Sequence, residues 1–203
     1  MTPNSALVRL ARSHHLVVAG HYDEALDEAR RSVELDPSEL LNRGGLAWAL
    51  LHARRYDESV RRWRQIEEFD QDPFMQGLAI LALGLAGRAE EVRTHCPATP
   101  AATLAWRCAQ AHALLGHAAP ARVALSKITP TGYLLLAEMH AALGDAAATV
   151  GVLERAFEAR HSAALFMNSP AFDPVRHDAS FRSLQHRMNY PAMAEGHGRI
   201  QRY

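Results

Sequence analysis

The sequence reads GHYDEALDEARRSVELDP from Gly20 to Pro37, and RRYDESVRRWRQIEEFDQDP from Arg54 to Pro73. The second stretch aligns with the first at a shift of 34 residues. The aligned pairs are Tyr22 with Tyr56, Asp23 with Asp57, Glu24 with Glu58, Ala25 with Ser59, Glu34 with Glu68 and Asp36 with Asp70. Self-similarity in register at a fixed period indicates a duplicated structural unit.

Each copy has the features of a helix pair. A first helix is predicted to end near Gly20, and the acidic residues that follow Tyr22 suit the first turn of a second helix, where the helix dipole favours negative charge. The small residue at Ala25 lets the two helices approach closely. Pro37 then ends the pair, because proline cannot continue a helix. Neither helix buries its apolar face alone, so pairs are expected to stack on pairs.

These residues resemble the tetratricopeptide repeat family, strongly over about residues 6–73. The likeness continues as LGLAGRAEE around Gly87, LLGHAAPA around Gly116 and ALGDAAATVGVLERAF around Gly144. It implies an all-α fold, a right-handed α-solenoid of about five helix pairs over residues 1–160 with a C-terminal capping helix. The predicted units are 6–39, 40–72, 73–100, 101–129 and 130–160. We expect the third unit's second helix to be cut to about two turns by Pro97.

Beyond Arg160 the period stops, and residues 161–188 are predicted to be a cap. The phrase FDPVRHDASFRSL resembles the closing segment of tetratricopeptide modules in bacterial regulators and signalling proteins. Solenoids need such caps for solubility. The residues expected to cover the fifth pair are Phe166, Phe172, Phe181 and Leu184, and those expected to face water are Arg176, Asp178, Arg182 and Arg187. Residues 189–203 lack periodicity and are predicted to be a mobile tail.

At the other end no comparable cap precedes the first pair. Arg9, Arg12 and His15 could make the outer face of the first helix self-capping. The alternative is that a further domain or a second copy covers this face, and the sequence leaves both open.

Composition narrows the class of protein. The chain has 22 basic and 22 acidic residues, which argues against a dedicated nucleic-acid partner. The arginines from Arg54 to Arg64 alternate with acidic residues, as on a solvated, ion-paired face. No signal peptide and no apolar run long enough to span a membrane are present, so we expect a cytoplasmic protein without a membrane partner. Cys108 is expected to be a small buried thiol on an apolar helix.

The sequence contains no nucleophile elbow and no glycine-rich phosphate loop, so we expect neither an enzyme nor a cofactor. The alternative is a helical-repeat enzyme or metal protein. It would use His112 and His140, which lie 28 residues apart at equivalent places, together with Glu138. No HxxxH or HExxH pairing supports that site.

The family resemblance further implies that the first helix of each pair lines a concave groove. The predicted groove residues are Leu10, His14, Gly44, Trp48, Leu51, His52, Gly77, Leu81, Leu85, Trp106, Gln110 and Glu138, accompanied by Val18, Leu41, Phe74, Leu114 and Leu134. The set is mostly apolar, and it lacks the lysine, arginine and asparagine with which chaperone-binding members of the family grip acidic tails. It predicts an interaction scaffold that binds an apolar or amphipathic segment, from another protein, a second copy or the chain's own tail through Tyr190 or Tyr203.

The two mid-helix glycines of this set have two interpretations. Gly44 and Gly77 either open room beside Trp48 and Leu81 for a ligand, or permit close helix packing. Trp48 is likewise either a groove residue or a core residue. If Trp48 were fully buried with Gly44 against a neighbouring helix, the groove argument would fail.

Overall fold

The computed structural model describes residues 5–66, 72–97, 100, 104–129 and 131–190, and this part of the chain is helical with no strand. Its helices, in chain order, are α1 (Ala6–Ala19), α2 (Tyr22–Leu35), α3 (Leu40–His52), α4 (Tyr56–Arg64), α5 (Pro73–Leu85), α6 (Ala89–His95), α7 (Ala105–Leu114), α8 (Ala118–Leu125), α9 (Tyr133–Ala142), α10 (Ala146–Glu158) and α11 (Ala179–Arg187). Two 3₁₀ segments, Ser162–Phe166 and Pro170–Val175, lie between α10 and α11. None of these helices has the length and apolar character needed to cross a membrane.

The helices pack in the order of the chain. Each odd-numbered helix from α1 to α9 contacts the even-numbered helix that follows it, and each even-numbered helix up to α8 also contacts the next odd one. The odd-numbered helices contact one another in series, from α1 through α3, α5 and α7 to α9. We call these five helices the inner layer. The all-α class is confirmed.

The turns inside the helix pairs share one backbone conformation. Gly20, Gly87, Gly116 and Gly144 all have positive φ, between 72° and 90°. The equivalent turn of the second pair holds Arg54 at φ 61°. A residue with a β-carbon costs roughly 1–2 kcal/mol in this left-handed region, so the arginine must be held there by its contacts.

Small residues set the helix spacing in the inner layer. A β-carbon at Gly84 would lie 2.9 Å from the Cα of Ala111, so glycine is required where α5 crosses α7. Around this crossing the largest apolar cluster buries Leu51, Trp63 and Leu81. Helix α6 has only seven residues and ends before Pro97, as the sequence predicted.

The closing segment, residues 161–188, packs on α9 and α10. Phe172, Phe181 and Leu184 are buried against Leu153, so these apolar residues cover the last pair as expected. The expectation that Arg176 faces water is wrong. Its guanidinium is buried, with Nε donating to Asp173 at 2.8 Å and Nη2 to the carbonyl oxygen of Ser169 at 2.8 Å.

Cys108 is buried as expected, but in the structure it is not a free thiol. It forms a disulfide with Cys96, just beyond the end of α6. The two cysteines are 12 residues apart, and their spacing alone did not indicate that they pair.

Two predicted features lie outside the described residues. Glu68 and Asp70, part of the repeated stretch, fall in the gap at 67–71. Residues 191–203 of the predicted tail, including Tyr203, fall beyond the last described residue.

Candidate functional site

A cavity of about 400 Å³ opens in the inner layer between α1, α3, α5, α7 and α9. Part of the closing segment forms its remaining wall through Phe166 and Ser169. We call this space the inner cavity. Its other lining residues are Leu10, His14, Leu41, Gly44, Gly45, Trp48, Leu51, His52, Trp63, Asp72, Phe74, Met75, Leu78, Leu81, Arg107, Leu134 and Glu138. Its volume is within the range of small-ligand pockets.

The inner cavity brings together many of the predicted groove residues. Those that line it are Leu10, His14, Gly44, Trp48, Leu51, His52, Leu81 and Glu138. Those that do not are Gly77, Leu85, Trp106 and Gln110. Leu85 and Gln110 are buried in the helix packing, whereas Trp106 lines a different cavity. That the gathered residues bind a ligand stays a prediction.

Three aromatic rings form one side of the inner cavity. The ring centroid of Trp48 lies 4.7 Å from that of His14 and 4.2 Å from that of His52. Trp48 is only partly buried, so the condition that would have excluded a groove role for it is not met. Burial, followed by the positive charge of Arg54, lowers the pKa of His52 to about 3. Partial burial of its ring also lowers the pKa of His14, whereas the deeply buried His52 is neutral at pH 7.

The floor of the cavity carries a buried ion pair that the sequence interpretation missed. Arg107 on α7 donates through Nη1 to Glu138 of α9 at 2.8 Å and to Gln110 at 2.7 Å. Its guanidinium carbon stacks 3.9 Å from the ring centre of Trp106. Burial lowers the pKa of Arg107, and the Glu138 carboxylate opposes that effect. The expectation that no arginine lies in the groove is therefore wrong.

Gly44 and Gly77 could each either make room for a ligand or permit close helix packing, and the structure gives a different answer for each. A β-carbon at Gly77 would lie 3.1 Å from Cγ of Arg107, so this space is filled by the arginine and does not open toward a ligand. At Gly44 a β-carbon would lie 3.0 Å from Cε of Met75, the movable end of a flexible side chain. Gly44 both lines the cavity and admits Met75.

The rim of the cavity is apolar and exposed. Leu41 and Phe74 line it and are 58% and 71% exposed, respectively. Leu7, at the same place in the first unit, is 60% exposed. These three residues occupy the second position of the first three predicted units, one each on α1, α3 and α5. Beside them Asp72 caps α5, accepting from the backbone amide of Phe74 at 2.8 Å.

Residues 166–176, which we call the strap, join the last helix pair to the first two. Arg54 donates to both carboxylate oxygens of Asp173, at 2.8 and 3.1 Å, and to the carbonyl oxygen of Asn168 at 2.9 Å. Tyr56 donates to Asp173 at 3.2 Å, and burial, with Asp173, raises the pKa of its hydroxyl. Arg54 was predicted to lie on a solvated face, but its side chain is only 8% exposed because it binds the strap. Its neighbour Arg55 does pair at the surface, with Glu58.

Tyr190 makes a further contact between the C-terminal part of the described chain and the first helix pair. The Tyr190 hydroxyl lies within hydrogen-bonding distance of the carbonyl oxygens of Val18, at 3.3 Å, and of Leu165. Tyr190 was predicted to reach the groove with the tail, and it lies against the end of α1 instead.

The residues of the alternative metal site do not come together. His112 lies near His117, with ring centroids 6.3 Å apart, whereas Glu138 pairs with Arg107 in the inner cavity. Among the described residues, no three histidine, cysteine or acidic side chains are grouped as metal ligands would be. A second cavity of about 690 Å³ lies beside the disulfide and is lined in part by His112 and Trp106.

No family model, curated protein or solved structure matches the chain. The tetratricopeptide resemblance therefore rests on the residues of this sequence.

Proposed function

We propose that the chain is a tetratricopeptide-type scaffold, a right-handed α-solenoid that binds a segment of another protein through its inner cavity. The observation that carries this proposal is the inner cavity itself. Eight of the twelve predicted groove residues line it, and its rim exposes Leu41 and Phe74. Exposed apolar surface that continues into a pocket is typical of a protein-binding site.

The strap limits the form of the partner. Because Phe166 and Ser169 close one side of the cavity, a whole helix does not fit into it. The partner segment instead lies along the row Leu7, Leu41 and Phe74 and places one or two apolar side chains in the cavity. Trp48 contacts such a side chain, and tryptophans in this setting often dominate binding energy.

A selection from a displayed library of random peptides tests the proposal. We expect the enriched peptides to share an apolar residue and to bind Trp48→Ala more weakly by about 1–3 kcal/mol. Gly44→Leu should abolish binding, because the larger side chain extends past Met75 into the cavity.

Gly151→Leu is the matched control, since a β-carbon at Gly151 meets nothing within 4 Å and this residue does not line the cavity. Peptides that bind Gly44→Leu as tightly as the parent protein would refute the cavity as the binding site. In that case a second copy of the chain, or the convex face, becomes the candidate.

The proposed setting is a regulatory module in a bacterial cytoplasm. Cytosolic thiol buffers keep most cysteines reduced. We therefore expect Cys96 and Cys108 to be free thiols in the cell and to pair only after oxidation. Alkylation of thiols at the moment of lysis, followed by mass spectrometry, would show two modified cysteines. Protection of both would instead place the protein in an oxidising compartment.

A further inference from the structure

The floor of the inner cavity is more polar than stability requires. Arg107 and Glu138 are only 8% and 4% exposed, yet both line the cavity. A buried ion pair can often be replaced by apolar residues without loss of stability, because its attraction only offsets the cost of removing two charges from water. Charged groups that face a pocket are therefore candidates for ligand recognition.

Both members of the pair keep unused hydrogen-bonding capacity. Arg107 uses Nη1 for Glu138 Oε2 and Gln110 Oε1. Its Nε and Nη2 groups, and Oε1 of Glu138, make no hydrogen bond with any residue in the described ranges. One face of the guanidinium is covered by Trp106, so its remaining donors are at its edge. The floor thus offers free donors next to a free acceptor.

The charges around the cavity select the kind of group that fits there. A carboxylate would pair with Arg107 but would be repelled by Glu138 and by Asp72 at the rim. An ammonium group would pair with Glu138 but would be repelled by Arg107. His52 contributes no charge at pH 7, because burial lowers its pKa to about 3, and partial burial also disfavours the charged form of His14. The complement is a neutral group that carries one acceptor and one donor side by side, which is a carboxamide.

We propose that Arg107 and Glu138 bind the side-chain carboxamide of a glutamine or asparagine in the partner segment. The carboxamide oxygen accepts from Arg107, and its amino group donates to Oε1 of Glu138. The methylene groups of that side chain contact the apolar walls at Trp48 and Leu51. A backbone amide is excluded, because the chain on both sides of it would have to enter a cavity of about 400 Å³. This inference rests on the proposed function, since it takes the inner cavity as the binding site.

Four small probes with one apolar body test the inference: phenylacetamide, phenylacetate, 2-phenylethylamine and ethylbenzene. Each is titrated into the full chain, and the indole N–H resonance of Trp48 reports binding in the cavity. We expect phenylacetamide to bind about tenfold more tightly than the other three, because hydrogen bonds to charged groups are the strong ones.

Glu138→Gln gives the discriminating variant. It replaces the free acceptor with a donor and removes one negative charge, so the preference should turn from phenylacetamide to phenylacetate. Glu154→Gln is the matched control, since Glu154 pairs with Arg187 at the surface and lies outside the cavity. It should keep the preference of the parent protein. A further pair, acetyl-glutamine methylamide and acetyl-leucine methylamide, separates a side-chain carboxamide from backbone amides.

The outcomes separate this inference from the proposed function. Equal binding of all four probes, with Trp48 perturbed, would overturn the inference and leave the cavity as a binding site. So would a preference for phenylacetate in the parent protein, or equal binding of the two acetylated residues. If none of the probes perturbs Trp48, the inner cavity is not a ligand site and both proposals fail. A preference for phenylacetamide that survives in Glu138→Gln also overturns the assignment.

Discussion

At the scale of single residues, Arg54 combines a backbone cost with a buried network. It holds the left-handed conformation that glycine holds in the other four turns. Its guanidinium contacts Asp173, which Arg176 also contacts, so one carboxylate serves two buried arginines. The sequence predicted the spacing of the turns, because the residues that form a turn are neighbours in the chain. It did not predict that Arg54 binds Asp173, because Asp173 lies 119 residues further along the chain.

We expect the two ends of this contact to differ in their effect on stability. Asp173→Asn leaves two buried guanidinium groups without a carboxylate and should lower the free energy of unfolding by about 3–5 kcal/mol. Arg54→Gly relieves the backbone strain and leaves the Asp173–Arg176 pair intact, so it should cost only about 1–2 kcal/mol. Urea unfolding of both variants measures the difference. Equal losses would contradict the expectation that the carboxylate of Asp173 stabilises Arg176 as well as Arg54.

His52 should make the stability of the protein depend on pH. Burial lowers its pKa to about 3 in the folded chain, from an ordinary value of 6.5. Below pH 6.5 the unfolded chain therefore binds a proton that the folded chain does not, and stability falls as the pH falls. Between pH 7 and pH 5 this histidine should remove about 2 kcal/mol of unfolding free energy.

Urea unfolding at several pH values checks this dependence, with His52→Gln as the variant and the surface substitution His186→Gln as the control. Other groups titrate in the same range, so the quantity to compare is the difference between each variant and the parent protein. If His52→Gln keeps the full dependence on pH, His52 is not the buried neutral group.

At the scale of helices, the sequence predicted where most helices begin and end. It did not predict, for every helix of the inner layer, which face points into the cavity. Tyr22 and Tyr56 each begin a helix, as the repeat required. In α7 the inward residue is Arg107, one position after the predicted Trp106. A shift of one residue turns a helical side chain by about 100°.

The closing segment gives a prediction at this scale. Ending the chain after Arg160 removes Phe172, Phe181 and Leu184, which are buried against α9 and α10. The uncovered apolar face should cause aggregation, measured by light scattering. Ending the chain after Tyr190 should leave stability unchanged, whereas ending it after Met188 should cost about 1 kcal/mol through loss of the Tyr190 hydroxyl contacts. A soluble, monomeric chain ending at Arg160 would contradict the assignment of residues 161–188 as a cap.

At the scale of the whole molecule, the strap connects the last helix pair to the first two. A stack of repeats usually contacts only neighbouring units, so its stability is close to a sum of local terms. Here Asn168 accepts from Tyr22 and Arg54, although the residues are 146 and 114 positions apart. No local pattern predicted these contacts, because a repeat period carries no information about pairing between distant units. The expected consequence is that the first two helix pairs unfold together with the last one.

Amide hydrogen exchange of the native protein tests this coupling. Asp173→Asn should increase exchange in α1–α4 as well as in α9–α11, because it breaks the contact between them. Leu184→Ala removes a buried side chain of the last cluster, which has no member from α1–α4, at a comparable cost of about 2–5 kcal/mol. Leu184→Ala should therefore increase amide hydrogen exchange mainly in α10 and α11. If Asp173→Asn also affects only the C-terminal elements, the strap is a local cap, and the cavity wall that it forms moves independently of the first two pairs.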